Sequence, residues 1–311
     1  MRRFSILLLS ALLIFAFTTV SMANPTIKGD FRYNIYKDET KDDENYAQSD
    51  LRVSIEDDLS DSLHVFAKFR VKNETDKDNG EMYADEYYVK YKESWGSIKA
   101  GHYGYKFTPS RVLLKSAEYH EFPSVDIMAA TTFNTSVDGL TFDVLYQPYA
   151  DDEEEEIGAG AYGLTADYNA GNWGAKISYA DLAKPAAGSS SSSDADLLAL
   201  DVYYKLDNGM KFFVNAVDYS ANDKKYSRYG SKGIDGIDPV LGFQWKKVAG
   251  SKFDVSAEYA INPRFEDTDA EYNGLALGAK YQITKNTKLE FEHYVKSDDE
   301  TKTMGRIRYK F

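Results

Sequence analysis

The chain has 311 residues, a formal net charge of −13 and no cysteine. The acidic balance excludes the basic footprint of a nucleic-acid binder, and the missing cysteine excludes a disulfide framework. A mean hydropathy of −0.52, with 25 tyrosines, 17 phenylalanines and seven prolines, goes with little helical periodicity and no apolar run, beyond the first residues, that could span a membrane as a helix.

Those first residues read MRRFSILLLSALLIFAFTTVSMA. Arg2 and Arg3 precede an apolar run from Phe4 to Phe17, and Ser21-Met22-Ala23 places small residues where a signal peptidase reads. The run is shorter than the roughly 20 residues a spanning helix needs. The pattern predicts a signal peptide over 1–23 and a mature domain over 24–311.

From there the chain alternates with period two. In TIKGDFRYNIY, Ile27, Phe31, Tyr33 and Ile35 share one face. Segment 46–56 sets Leu51, Val53 and Ile55 against Asp50, Arg52 and Ser54. Segment 62–72 sets Leu63, Val65 and Phe69 against Lys68, Arg70 and Lys72. Segments 125–137, 140–147, 252–259 and 287–295 follow, with 125–137 the least regular. The end, TMGRIRYKF, puts Ile307, Tyr309 and Phe311 opposite Arg306, Arg308 and Lys310.

Connections alternate in length. Short ones fall near 57–61, 92–95, 137–139, 169–172, 207–209, 248–251 and 284–286, several with Gly, Asn or Asp turn chemistry. Longer ones lie between them, including 103–124, the Ser-rich tip GSSSSSD and the acidic runs DETKDDE, DDEEEE, EDTDAE and SDDE. These runs read either as solvated loop surface or as a negative vestibule that can bridge divalent cations to lipid heads. The rhythm predicts an all-β, transmembrane antiparallel barrel of sixteen strands, with short periplasmic turns and long outside loops. Closure explains a chain that stops mid-strand: the last strand pairs with the first, so no backbone edge meets lipid.

Sixteen strands enclose a water-filled lumen. Once the barrel closes, the last strand and the first three are neighbours. Their polar face holds Lys28, Arg32, Arg52, Lys68, Arg70, Lys72, Arg306, Arg308 and Lys310 against Asp30 and Asp50. Of these, Arg32, Arg52, Lys68, Arg70, Arg306 and Arg308 fall near mid-strand and form the expected basic wall of a pore. The 103–124 connection is aromatic rather than charged (Tyr103, Tyr105, Phe107, Tyr119, Phe122), as a segment packed on a wall would be.

Residues 84–111, ADEYYVKYKESWGSIKAGHYGYKFTPSR, resemble the fifth-strand region of the general diffusion porins of Gram-negative bacteria. Trp95-Gly96 matches the aromatic-Gly pair, Ile98 and Ala100 the apolar positions, and Gly101 the glycine; His102 stands where the family carries arginine. FNTSVDGLTFDVLYQP (133–148) resembles the next hairpin, and Phe311 the terminal assembly signal. The resemblance implies a homotrimer of sixteen-stranded barrels in outer-membrane lipid, inserted by the β-barrel assembly machinery. It implies a third loop folded into each pore, with Lys99, His102, Arg111, Lys115, Glu118 and Glu121 as constriction candidates.

The expected function is passive diffusion of small hydrophilic solutes and ions. Alternatives are an anion- or sugar-selective porin, and an adhesin or envelope-anchoring barrel with an incidental pore. No G-x-S-x-G, HExxH or P-loop motif is present, and no acidic spacing matches a calcium loop. No enzyme activity, cofactor or metal is expected. Of the four histidines, His64, His102, His120 and His293, the last falls on the apolar parity near an interface.

Overall fold

The computed structural model describes residues 25–38, 44–74, 81–113, 126–147, 161–181, 195–221, 235–261, 274–296 and 301–311. The expected signal peptide, the Ser-rich tip and the acidic runs lie outside the described residues, except Asp38 and Glu44 at the two ends of DETKDDE. The strands are β1 (Thr26–Asp38), β2 (Glu44–Asp58), β3 (Leu63–Glu74), β4 (Glu81–Glu93), β5 (Gly96–Lys106), β6 (Asp126–Val137), β7 (Leu140–Gln147), β8 (Ala161–Asn169), β9 (Trp173–Asp181), β10 (Ala195–Lys205), β11 (Met210–Ala221), β12 (Asp235–Trp245), β13 (Phe253–Ala260), β14 (Gly274–Gln282), β15 (Thr287–Lys296) and β16 (Thr301–Lys310). Each pairs antiparallel with its chain neighbours, and β1 pairs with β16, so the sheet is a closed barrel.

The alternation in the sequence is the alternation of the two faces. Large apolar side chains point outward into exposure: Ile35 is 58% exposed and Leu241 46%, and Phe31, Val89, Leu200, Leu277, Phe291 and Ile307 behave alike. Charged groups are buried on the other face, with Asp50, Asp201 and Glu258 at 2% or less. A water-soluble protein would reverse this distribution. Here the outward solvent is hydrocarbon and every strand edge is paired.

The seam between β1 and β16 continues one residue past the last strand. Gly29 donates its N–H to the carbonyl oxygen of Phe311 at 2.8 Å, and Phe311 donates back to Gly29 at 3.0 Å. Between β5 and β6, pairing jumps from Ala100↔Thr131 to Tyr103↔Ala129, a bulge that leaves Gly101 and His102 across from one residue. Gly101 has φ 137°, and a Cβ there would lie 2.2 Å from the carbonyl oxygen of Tyr87, so only glycine fits.

The expected 103–124 connection is shorter than the sequence suggested. Residues 103–106 finish β5, and the connection begins at Phe107. Aromatic side chains at 103 and 105 alternate inward as strand residues do, which alone does not separate strand from packed loop.

Candidate functional site

The inner face of β16, β1, β2 and β3 carries the basic residues together. The sequence Asp-x-Arg occurs twice, at Asp30–Arg32 and Asp50–Arg52, and residues two apart in a strand share a face. Antiparallel pairing then sets Arg32 opposite Arg308 and Arg52 opposite Arg70. Like charges placed directly across a ladder repel, and the two aspartates relieve both contacts. Asp30 accepts from Arg32 Nη2 at 2.8 Å and from Arg308 Nε at 2.7 Å. Asp50 accepts from Arg52 Nη2 at 2.7 Å and from both Arg70 Nε and Nη2, at 2.9 and 3.0 Å. Two carboxylates thus hold four guanidiniums in fixed, forked geometry. Arg306 donates to Asn34 Oδ1 at 2.5 Å and to Glu290 at 3.3 Å.

The expected ratio of bases to acids needs correction. Glu56 lies on the same face and pairs with Lys28. The flanking strands bring more acid: Lys68 pairs with Asp85 at 2.7 Å and with Glu86, and Glu290 sits among Lys280, Lys288 and Arg306. The bulge in the β3–β4 pairing at Lys68/Phe69 is what turns both Asp85 and Glu86 toward one lysine. The wall is a set of guanidinium-rich clusters rather than a bare cationic surface.

The segment after β5 runs along the opposite inner wall. Tyr105 donates to Asp143 on β7 at 2.5 Å and bonds Thr165 on β8 at 2.8 Å. Lys176 on β9 donates to the Lys106 carbonyl at 2.6 Å. The Ser110 N–H donates to Asp201 on β10 at 2.7 Å, Lys211 on β11 donates to Ser110 Oγ at 2.7 Å, and Gln244 on β12 donates to the Ser110 carbonyl at 3.1 Å. Glu258 on β13 accepts from the backbone N–H of Val112 and Leu113 at 2.5 and 2.9 Å. Leu113 reaches β14, where a Cβ on Gly278 would lie 2.9 Å from Leu113 Cδ2. The segment therefore follows the curve of the barrel from β7 to β14 without leaving its inner face. Small inward residues on those strands, Ala260, Gly274, Ala276 and Gly278 among them, make room for it.

The constriction candidates separate. Lys99 faces inward, with its ammonium 3.8 Å from the Tyr88 ring centroid and 3.7 Å from that of Tyr103. Arg111 is fully buried in the strip laid on the wall. His102 is on the outside. It stacks on Tyr87 with ring centroids 5.5 Å apart, on the parity of exposed Ile98. This corrects its expected place: the strand alternation, not the family position, decides where it points. Lys115, Glu118 and Glu121 lie outside the described residues, as do His120, Tyr119 and Phe122. Tyr103 and Phe107 are buried as expected of packing aromatics. His293 is on the outward parity and bonds Thr303 at 2.9 Å. Asp201, Lys211 and Gln244, which seat the segment, went unread in the sequence; a lone acid at an inward position of a strand is the signal that could have found Asp201.

Among the described residues no group of His, Asp or Glu side chains is placed to hold a metal ion, and no helix is long and apolar enough to cross a membrane.

A closed sixteen-stranded barrel, apolar outside, polar inside and narrowed by an inward segment, defines the class of outer-membrane porins. The family description "Gram-negative porin" matches residues 9–301, and the chain belongs to that family. Solved structures agree in fold. OmpF of Salmonella typhi, in complex with daunomycin, superposes with a TM-score of 0.68 at 14% identity, covering 92% of this chain and 97% of that one. A loop L8 deletion mutant of OmpT, an outer membrane protein of Vibrio cholerae, gives 0.64 at 15%, covering 93% and 99%. A mutant of the Rh. blastica porin gives 0.64 at 14%, covering 92% and 100%. No curated protein matches the chain. The protein is a multi-pass β-barrel of the outer membrane.

Proposed function

We propose that the barrel is a water-filled channel through which small hydrophilic solutes and ions diffuse passively, with no enzymatic chemistry. The observation that carries this is the asymmetry of its interior. One inner wall holds four guanidiniums on two aspartates, and the Phe107–Leu113 segment lines the wall across from it. A solute passing between them meets fixed charge on one side and a seated backbone on the other, which is how a pore selects by size and sign. Lys99 and Arg111 serve this reading as anchors of the inner surface rather than as free charges.

The chain is read as a homotrimer; one solved relative of this fold is described as a trimer form. Residues 1–23 are read as a signal peptide removed on export, and Phe311 as the residue the β-barrel assembly machinery engages. The excess of guanidinium over carboxylate favours an anion-selective version of the channel over an unselective one.

Conductance of the folded protein in planar lipid bilayers tests the reading. Stepwise, ohmic current increments in KCl are expected. Stable insertion without current would leave a structural or adhesive barrel instead.

A further inference from the structure

A cavity of about 310 Å³ opens on the inner face of the seam, between the short-turn ends of β16, β1, β2 and β3. Five cationic side chains line it: Lys28, Arg32, Arg52, Lys68 and Lys310. Ser54 adds a hydroxyl and Asp30 is the one acidic side chain in the lining. The carboxylates that pair the other bases sit around it rather than in it. Asp50 is 2% exposed beneath Arg52 and Arg70, Glu56 holds Lys28, and Asp85 and Glu86 hold Lys68.

The charges do not balance. Asp30 is shared by Arg32 and Arg308, and Asp50 by Arg52 and Arg70. Each cluster therefore keeps one positive charge after pairing. Lys310 adds an ammonium with no carboxylate partner among the described residues. The second acid on Lys68 takes one charge back. What remains on these side chains is close to two positive charges, around a cavity with room for a tetrahedral oxyanion and its waters. Forked guanidinium N–H groups and a hydroxyl match oxygen acceptors in several directions, which a halide cannot use.

We propose that this cavity is a binding site for the inorganic phosphate dianion, held by Lys28, Lys310, Arg52 and Ser54 at the short-turn mouth. Occupancy neutralises the two surplus charges. The site concentrates phosphate at one end of the barrel and sits below the mid-strand Arg70 and Arg306. It rests on the channel reading only for access, because the cavity and its charges exist whether or not the barrel conducts.

The test is phosphate binding to the folded full-length barrel in detergent, followed by phosphorus NMR line broadening at about pH 8, where the phosphate group is mainly dianionic. Folding of each variant is checked by gel mobility with and without heating. The wild type should bind phosphate saturably, with sulfate competing and gluconate not. Lys310→Gln should weaken binding by about tenfold, the scale of one lost charge-assisted contact, and Ser54→Asp, which sets a carboxylate in the lining against the anion, should weaken it at least as much. Lys72→Gln, on the same wall outside the cavity, should bind as the wild type does. Absent saturation, or an equal loss in Lys72→Gln and Lys310→Gln, overturns the site in favour of a diffuse field. Conductance in bilayers without saturable binding removes the phosphate site and leaves the channel. Saturable, Lys310-dependent binding without conductance upholds the site and removes the channel.

Discussion

The phenyl ring of Phe311 lies directly over Gly29: a Cβ built on that glycine would fall 2.0 Å from the ring's Cζ. Their backbones exchange two hydrogen bonds. Tyr309, whose ring stacks on Phe311 at 6.0 Å between centroids, extends the cover along the seam. An aromatic ring laid on a strand glycine restores the packing the missing side chain gives up.

Gly29→Val should therefore obstruct closure itself. The expected result is a barrel that fails to reach the heat-modifiable gel mobility of the folded form in detergent. Phe311→Ala keeps the backbone pairing and should fold in detergent with a modest loss, about 0.5–1.5 kcal/mol for the aromatic contact. Phe311→Asp should lower the amount in the outer membrane of cells far more than that loss implies. Equal outer-membrane levels for Phe311→Asp and the wild type would remove Phe311 as an assembly signal.

Replacing Arg52, Arg70 and Arg306 together by glutamine should shift ion preference toward cations. Arg52 and Arg70 both sit on Asp50, which is nearly inaccessible to solvent. Removing them turns that cluster from a net positive to a net negative charge, a larger change than loss of two exposed lysines would cause. Asp50→Asn should move selectivity the other way. Reversal potential in a KCl gradient reads both. The screening length falls to about 3 Å at 1 M salt, so the effect of these fixed inner charges should persist there while charges on outer loops fade. An unchanged reversal potential in the triple variant would place the narrowest point elsewhere.

Glu258→Ala should free the inner segment at its far end. The carboxylate accepts two backbone N–H groups, from Val112 and Leu113, and leaving them unpaired costs about 1–3 kcal/mol each. The β13 strand itself keeps its pairing with β12 and β14. Expected are noisier single-channel currents and faster protease cleavage within 107–113, with gel mobility unchanged. Currents as quiet as the wild type's would show that Asp201 and Lys211 suffice to hold the segment.

Cysteines placed at neighbouring positions should report opposite solvents. Val71 belongs to the exposed apolar face and Arg70 to the interior. Val71→Cys should react with a lipid-soluble maleimide and Arg70→Cys with a small water-soluble thiol reagent. The reverse pattern would exchange the faces, because strand side chains alternate with a period of two.

Most of the barrel was legible because two-residue periodicity survives where each face has one solvent. Segment 140–147 was read to the residue, and the short turns near 137–139 and 284–286 carry their own chemistry. The seam was legible too, since Phe311 demands a partner strand. Less could be read where pairing is irregular. The bulge beside Lys68 that recruits Asp85 and Glu86 leaves no mark in composition. Glu56 escaped notice at the end of its segment, although its parity was right. The path of the inner segment was hidden because its partners, from Lys106 with Lys176 to Val112 with Glu258, join residues 70 to 146 positions apart, and no local pattern encodes such a meeting. His102 shows the opposite case, where strand parity was the better guide than resemblance.

The contacts that join Arg308 to Asp30 and Arg306 to Asn34 span 278 and 272 positions of the chain. Contacts of such separation form late, because the intervening chain must be ordered before they gain anything. The part of the interior that holds Asp30 is thus completed only when β16 reaches β1. A barrel still open at this seam carries Arg32 and Arg52 but not the strand that brings Arg308 and Arg306 beside them. Closure of the seam and completion of the charged wall are the same event, so a barrel that closes is also one whose electrostatic lining is whole.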